Sequence, residues 1–352
     1  MRPKRELRVA IAGWGRAGSH LHAGSLRALP GARLVAVCDP DADARARAAG
    51  EIGAERVYAD ARRLLDDPAI DVLALCQPVP GRAGLACAAL AAGKPVLLEK
   101  PLAIDAGESD RLVAAEAAAT AAGVKAMLGM NMRWHPHALQ ARRRILAGEI
   151  GAPELLASTI TTRHDDVPPW RRTRATGGGV LNDMAIHHVD LWRWLTGSDV
   201  VEVSACARSR EWEDDSAAIS ARLSDGALAT AVVGERTVND NALAVFGRDG
   251  AIALSFYRFD GFTLRRGGVP GDRTDRMSTA LHRLAQIVGL PATRRHRGLW
   301  LSSYRAQWRH FIDCIGADRA PGSSFADGAR AGAVIRAAIE SARRGAGVAV
   351  GA

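Results

Sequence analysis

The sequence predicts an α/β chain of two domains, the first built on a parallel sheet with helices on both faces, the second on a mostly antiparallel sheet. Three observations point there. The chain has 352 residues, more than one ordinary core organises. From Arg8 to about Lys125, short apolar runs alternate with alanine-rich helical stretches, the β-α-β-α pattern of a parallel sheet. Beyond residue 130 the strands alternate along their length and are divided by turns such as SDGA and GRDGA, as in an antiparallel sheet with one polar or partner-facing side. The expected domains are 1–128 and 129–352.

Taken in order, LRVAIAG is a buried strand, AGSHLHAGSLRAL a helix and ARLVAVCD a second strand. PDADARARAAGEIG (40–53) is a helix starting just after a proline. AIDVLALCQP is a strand, GRAGLACAALAAG a helix and KPVLLEKP a strand. Asp105 caps the helix DAGESDRLVAAEAAATAAG, and VKAMLGMN is the strand that follows. In the second domain, the helix HALQARRRILAG precedes the strands PELLASTITT, VVEVSACARS, SAAISARL, ALATAVVGE, NALAVFG and AIALSF. Two helices, SSYRAQWRHFIDCIGA and FADGARAGAVIRAAIESARRG, close the chain.

Composition excludes several classes. Hydrophobic residues make up 48% and charged residues 24%, a globular balance. No apolar run approaches the roughly 18 residues that span a bilayer, so no membrane is expected. The basic start, MRPKRELRVAIAGWG, leads into a run too short for a signal peptide, which leaves a cytoplasmic location as the default. The five cysteines form no C-x-x-C pair, against a disulfide framework or a zinc site. The net charge is +9, but the arginines are spread along the chain, so no nucleic-acid stripe is expected.

GWGRAG, Gly13 to Gly18, fits G-x-G-x-x-G between the first strand and a helix. Gly13 permits the tight turn, Gly15 lets the backbone approach a pyrophosphate, and Gly18 lets helix and strand pack closely. Asp39, at the carboxyl end of the second strand, can accept both ribose hydroxyls and would repel a 2′-phosphate, which favours NAD over NADP. The cofactor set is therefore Gly13, Trp14, Gly15, Arg16, Ala17 and Asp39, with Gln77, Pro78, Arg82, Glu99 and Lys100 at later strand ends. Lys100 stands out: of the 47 basic side chains only Lys4, Lys94, Lys100 and Lys125 are lysine. A lysine at a strand end can shift its pKa and exchange a proton, which an arginine cannot.

In GGGVLNDMAIHHVDLW, Asp183, His187 and Asp190 fall along one helical stripe, while His188 is rotated about 100° away. Gly177 to Gly179 would let the backbone pass close to a ligand. An Asp and a His at this spacing also fit a metal pair or a buried structural pair. No H-E-x-x-H is present, so no metal is assigned.

GWGRAG, CDPD, AALAAGKPVLLEKPLA and GGGVLNDMAIHHVDLWRWLTG occur in an order and spacing that resemble the Gfo/Idh/MocA family of oxidoreductases, and SARRGAGVAV resembles that family's C-terminal end. The resemblance implies an N-terminal Rossmann domain plus a C-terminal α/β domain with a large open, mostly antiparallel sheet. It also implies hydride transfer between NAD(P) and a hydroxyl or keto carbon of a sugar, sugar derivative or cyclitol. Lys100, Asp183 and His187 would be the catalytic trio, and the sheet would join a homodimer or homotetramer. Asn131 and Arg133 would contact substrate, as family usage suggests. Trp170 and Arg171 suit a sugar face and its hydroxyls, or a carboxylate. Where the family commonly has a histidine, this chain has Arg82; Gln77 replaces a frequent threonine or serine. Two other classes remain open: an NAD-dependent glycoside hydrolase or lyase using transient oxidation, and a non-catalytic NAD-binding regulator.

Overall fold

The computed structural model describes residues 6–52, 56–164, 167–267, 277, 280 and 299–351. The basic start of the chain and the last residue of the expected 40–53 helix lie outside them. The chain divides into two compact units, Met1–Asn131 with Tyr304–Ala329, and Met132–Ser303 with Arg330–Ala352.

The first unit holds strands β1 (Leu7–Ala12), β2 (Ala32–Cys38), β3 (Val57–Tyr58), β4 (Val72–Leu75), β5 (Val96–Leu98) and β6 (Ala126–Leu128). They pair in parallel in the order β3-β2-β1-β4-β5-β6. The strands read as unbroken apolar runs because both faces of such a sheet are covered. The connecting helices are α1, which opens as a π-helical stretch over Ala17–Ala23 and continues through Gly24–Leu26, then α2 (Ala42–Ile52), α3 (Arg63–Asp66), α4 (Arg82–Ala91) and α5 (Ala106–Ala121). Asp105 caps α5, its Oδ1 accepting from the Glu108 amide at 2.8 Å. The order reverses at β1, which has β2 on one side and β4 on the other. In an open α/β sheet, ligands bind beyond the strand ends at that reversal.

The domain expected over 129–352 is not one unit, because Tyr304–Ala329 belongs to the first. Side-chain anchors explain this. Trp308, on α8 (Leu299–Ala317), is wholly buried and donates from Nε1 to His22 Nδ1 at 3.0 Å. Ser323 Oγ donates to the Leu128 carbonyl at 2.6 Å. The Glu116 carboxylate accepts the Phe325 amide at 2.9 Å.

The second unit is built on β7 (Pro153–Thr162), β8 (Val200–Arg208), β9 (Ser216–Leu223), β10 (Leu228–Glu235), β11 (Asp240–Gly247), β12 (Gly250–Ser255), β13 (Phe262–Arg266) and β14 (Val348–Ala349). Their order is β13-β12-β11-β7-β10-β9-β8-β14. β7 and β10 run parallel, and the other neighbours are antiparallel. Along β9 and β10, buried and exposed residues alternate, as the sequence pattern required. Helices α6 (Pro136–Leu146) and α7 (Ile186–Thr196) pack on the sheet, and α9 (Phe325–Arg344) crosses the division between units. Trp192 is wholly buried on α7 and donates to Ser158 Oγ at 2.8 Å. Trp194 is half-buried and stacks under the Arg142 guanidinium, 4.5 Å from the ring centre.

Candidate active site

The site residues fall in both units. In the first, the glycine loop is shaped by close approaches. Gly13 has φ +95°, and a Cβ there would lie 2.6 Å from the Gln77 amide nitrogen. A Cβ on Gly18 would lie 1.9 Å from the Gly13 carbonyl oxygen. Gly15 faces open space. The Trp14 amide donates to Asp39 Oδ2 at 2.7 Å and the Asp41 amide to Oδ1 at 2.9 Å. Asp39 therefore braces the loop at the end of β2 while presenting negative charge beside it. The Trp14 indole is buried in the core. Arg16 is exposed and Ala17 half-buried at the start of α1. An open glycine at a helix N-terminus next to an acid fits an NAD pyrophosphate and ribose.

The strand-end loops carry the rest. Gln77 is half-buried and Pro78 exposed. Arg82 is buried, donating to the Gln77 carbonyl at 3.3 Å and to the Pro101 carbonyl, so it struts the loops after β4 and β5. Burial lowers its pKa to about 10.

Glu99 is buried directly before Lys100, and its two oxygens have different tasks. Oε2 accepts the Lys100 amide at 3.1 Å, and Oε1 pairs with His22 Nε2 at 2.8 Å. The Trp308 indole N–H can only donate, so His22 Nδ1 accepts it and the Nε2–H donates to Glu99. Cys76 and Glu99 outweigh burial and push the His22 pKa up to about 10, but the Trp308 donor at Nδ1 leaves no place there for a second proton and keeps this ring neutral. Burial also works to raise the pKa of Glu99. The hydrogen bond from His22, with the charges of Lys100 and Arg82, outweighs it and holds Glu99 below the usual carboxylate range. His22 and Trp308 were not legible as site residues: HLHA carries no spacing that distinguishes His22 from His20.

In the second unit, Asp183 lies in a π-helical turn, Leu181–Ala185, and His187 in the first turn of α7. Gly178 and Gly179 before them make room for protein backbone. A Cβ on Gly178 would lie 2.2 Å from the Arg171 carbonyl oxygen, and one on Gly179 would lie 3.1 Å from the Glu213 carbonyl oxygen. Arg171 Nη2 is 2.6 Å from Asp183 Oδ2 and 2.5 Å from Glu235 Oε1. Trp170 is half-buried beside it, its carbonyl accepting from Thr176 Oγ1 at 2.6 Å.

Asp190 lies three residues after His187 on the regular helix α7, but it turns to protein rather than ligand. It is buried and grips Arg133 through Nε at 2.7 Å and Nη2 at 2.5 Å. That fork occupies two of the donors assigned from sequence to substrate. Asn131 is wholly buried and ends the first stretch of the first unit. His188 has the separate part expected of it, pairing with Asn241 Oδ1 at 3.0 Å in the core. Burial lowers its pKa to about 4.

Residues 7–128 match the family model "Oxidoreductase family, NAD-binding Rossmann fold", and 138–253 match "GFO/IDH/MocA C-terminal domain". The chain is 30% identical over 346 residues to the oxidoreductase YrbE of Bacillus subtilis (strain 168), covering 96% of this chain and 94% of that protein. It belongs to the GFO/IDH/MocA oxidoreductase family. It is also 28% identical to scyllo-inositol 2-dehydrogenase (NAD(+)) of the same organism, over 90% of this chain and 88% of that one. A solved structure, described as a putative myo-inositol dehydrogenase from Sinorhizobium meliloti 1021, superposes with a TM-score of 0.77 at 25% identity, covering 98% of this chain and 100% of that one. The GFO/IDH/MocA assignment makes the first unit an NAD-binding Rossmann domain and the protein an oxidoreductase.

Proposed function

We propose that this enzyme moves a hydride between NAD and a secondary hydroxyl or keto carbon of a sugar or cyclitol, with Lys100, Asp183 and His187 serving one substrate. Supporting the reading are a Lys100 whose amide is held by Glu99 in the first unit and, in the second, a helical segment bearing Asp183 and His187, in a chain similar to a named inositol dehydrogenase.

NAD, when bound, supplies the carbon that accepts the hydride and its electron pair. His187 takes the hydroxyl proton as general base as the carbon–oxygen double bond forms. The Lys100 ammonium donates to the same oxygen and stabilises the negative charge that develops there. Asp183 accepts from a neighbouring substrate hydroxyl and fixes the ring. In the reverse direction His187 returns the proton to the new alcohol.

A panel of inositols, aldoses and keto-sugars with NAD and NADP, followed by nicotinamide absorbance, tests the reading. Turnover with NAD is expected, with Lys100→Met and His187→Ala binding NAD normally but losing it. Full activity in either variant overturns the assigned roles.

The outer face of the second-unit sheet is suited to a second copy of the chain. Leu155, Ala218, Ser220, Thr230 and Val232 are exposed there and carry no charge. A homodimer or homotetramer joined by this face is part of the proposal. So is a cytoplasmic location. No helix among the described residues is long and apolar enough to cross a membrane, and all five cysteines are free, as suits a reducing compartment.

A further inference from the structure

Glu235, the last residue of β10, had no role in the sequence reading, yet it is buried to 5% exposure. Its Oε2 accepts from Trp212 Nε1 at 2.7 Å. Its Oε1 accepts from Arg171 Nη2 at 2.5 Å, with His164 Nδ1 at 3.5 Å. The same Nη2 reaches Asp183, so one guanidinium is shared by two carboxylates. The side chains of Arg171 and Asp183 remain 14% and 16% exposed, against 3% for Glu235. A ligand can meet the first two, while the third offsets their cation from behind.

An arginine next to a tryptophan would ordinarily grip a carboxylate with its planar fork. Here an incoming carboxylate meets an Arg171 already engaged by two carboxylates, and like charges placed together are rejected strongly where water is scarce. A hydroxyl brings no charge and meets no such opposition. Resting on the reading of Asp183 and His187 as substrate-facing groups, we propose that Glu235 sets substrate charge. By neutralising Arg171 it restricts the enzyme to uncharged polyols, neutral sugars and cyclitols, and excludes sugar acids.

The test compares D-glucose with D-glucuronate and D-galactose with D-galacturonate, at saturating NAD, in the wild type and in Glu235→Gln. The wild type should favour the neutral member of each pair by at least about tenfold in kcat/KM. Glu235→Gln should shift that ratio toward the acid by about tenfold, mainly through KM, a change equivalent to about 1.4 kcal/mol. Glu235→Asp, which keeps the charge, should retain the neutral preference even where activity falls. If Glu235→Gln does not fold, Arg171→Met serves instead and should deepen the rejection of the acids. Wild-type preference for the uronates, or a ratio unmoved by these variants, overturns the proposal.

Calorimetric binding of the same four sugars to NAD-loaded Lys100→Met reads the preference without turnover. Intact preference with no wild-type turnover on any polyol defeats the dehydrogenase reading alone. Turnover on polyols with a ratio indifferent to Glu235 defeats this one alone.

Discussion

Lys100 is positioned by its neighbours. Its amide is held by Glu99, Glu99 by His22, and His22 by Trp308. Glu99→Gln keeps the shape and removes the charge. It should lower kcat by roughly ten- to hundredfold, as small misplacements of a reacting group do, while NAD affinity changes little. Stopped-flow turnover beside fluorescence titration of NADH checks this, and an unchanged kcat would dismiss the positioning role. Gly178 is a second residue whose identity is dictated by contact, because a Cβ would strike the Arg171 carbonyl at 2.2 Å. Gly178→Ala should destabilise the fold by about 1–3 kcal/mol, the usual cost of overpacking, and should disturb Arg171. Denaturant unfolding that matched the wild type would contradict this.

The elements bearing the site depart from regular helix at the same places. The stretch after the glycine loop, Ala17–Ala23, and the turn carrying Asp183, Leu181–Ala185, are both π-helical. Such turns are rare and recur at functional sites, where the wider turn redirects a side chain. The 3.6-residue period used on the sequence put Asp183, His187 and Asp190 on one stripe. The π turn alters the offset of Asp183 from the other two, while His187 and Asp190 share the regular helix α7 and Asp190 is engaged by Arg133.

Helices α6 and α7 and strand β12 also bring neutral histidines together around Phe256. His135 and His188 meet its ring edge-on, at 4.9 and 5.9 Å. Burial, with the neighbouring His137, lowers His135 to about 3, and burial lowers His188 to about 4. An unfolded histidine titrates near pH 6.5. Below that pH the unfolded chain binds protons that the folded chain refuses, so stability falls from about pH 6.5 down toward those lowered values. Each such histidine costs about 1.4 kcal/mol per pH unit within its window. The thermal midpoint should drop accordingly on acidification, and less steeply in His188→Gln, which still reaches Asn241 but does not titrate. Equal slopes for the two proteins would remove His188 from the account.

For the whole molecule, the proposed meeting place of copies is the small and apolar middle of the sheet's outer face, around Thr230, Val232, Ala218 and Ser220, which the Arg222–Glu202 pair flanks. Val232 is 56% exposed near its centre, on β10. Val232→Arg places charge where an obligate interface excludes it. It should convert the proposed dimer or tetramer to monomers by light scattering, with NAD binding preserved. An oligomer that survives the change would place the interface elsewhere.

The sequence alone determined the features that local pattern encodes. The parallel sheet followed from βαβ alternation, the dinucleotide loop from Gly13, Gly15 and Gly18, and the placing of Lys100 from its strand end, because each depends on residues a few positions apart. The antiparallel sheet was legible for the same reason, since its buried and exposed faces alternate with period two. Tertiary structure alone decided what rests on contacts between distant residues. His22 meets Glu99 across 77 positions and Trp308 across 286, and Arg171 meets Glu235 across 64. No periodicity spans such separations, and a buried ion pair forms only where the folded backbone brings two particular atoms within hydrogen-bond reach.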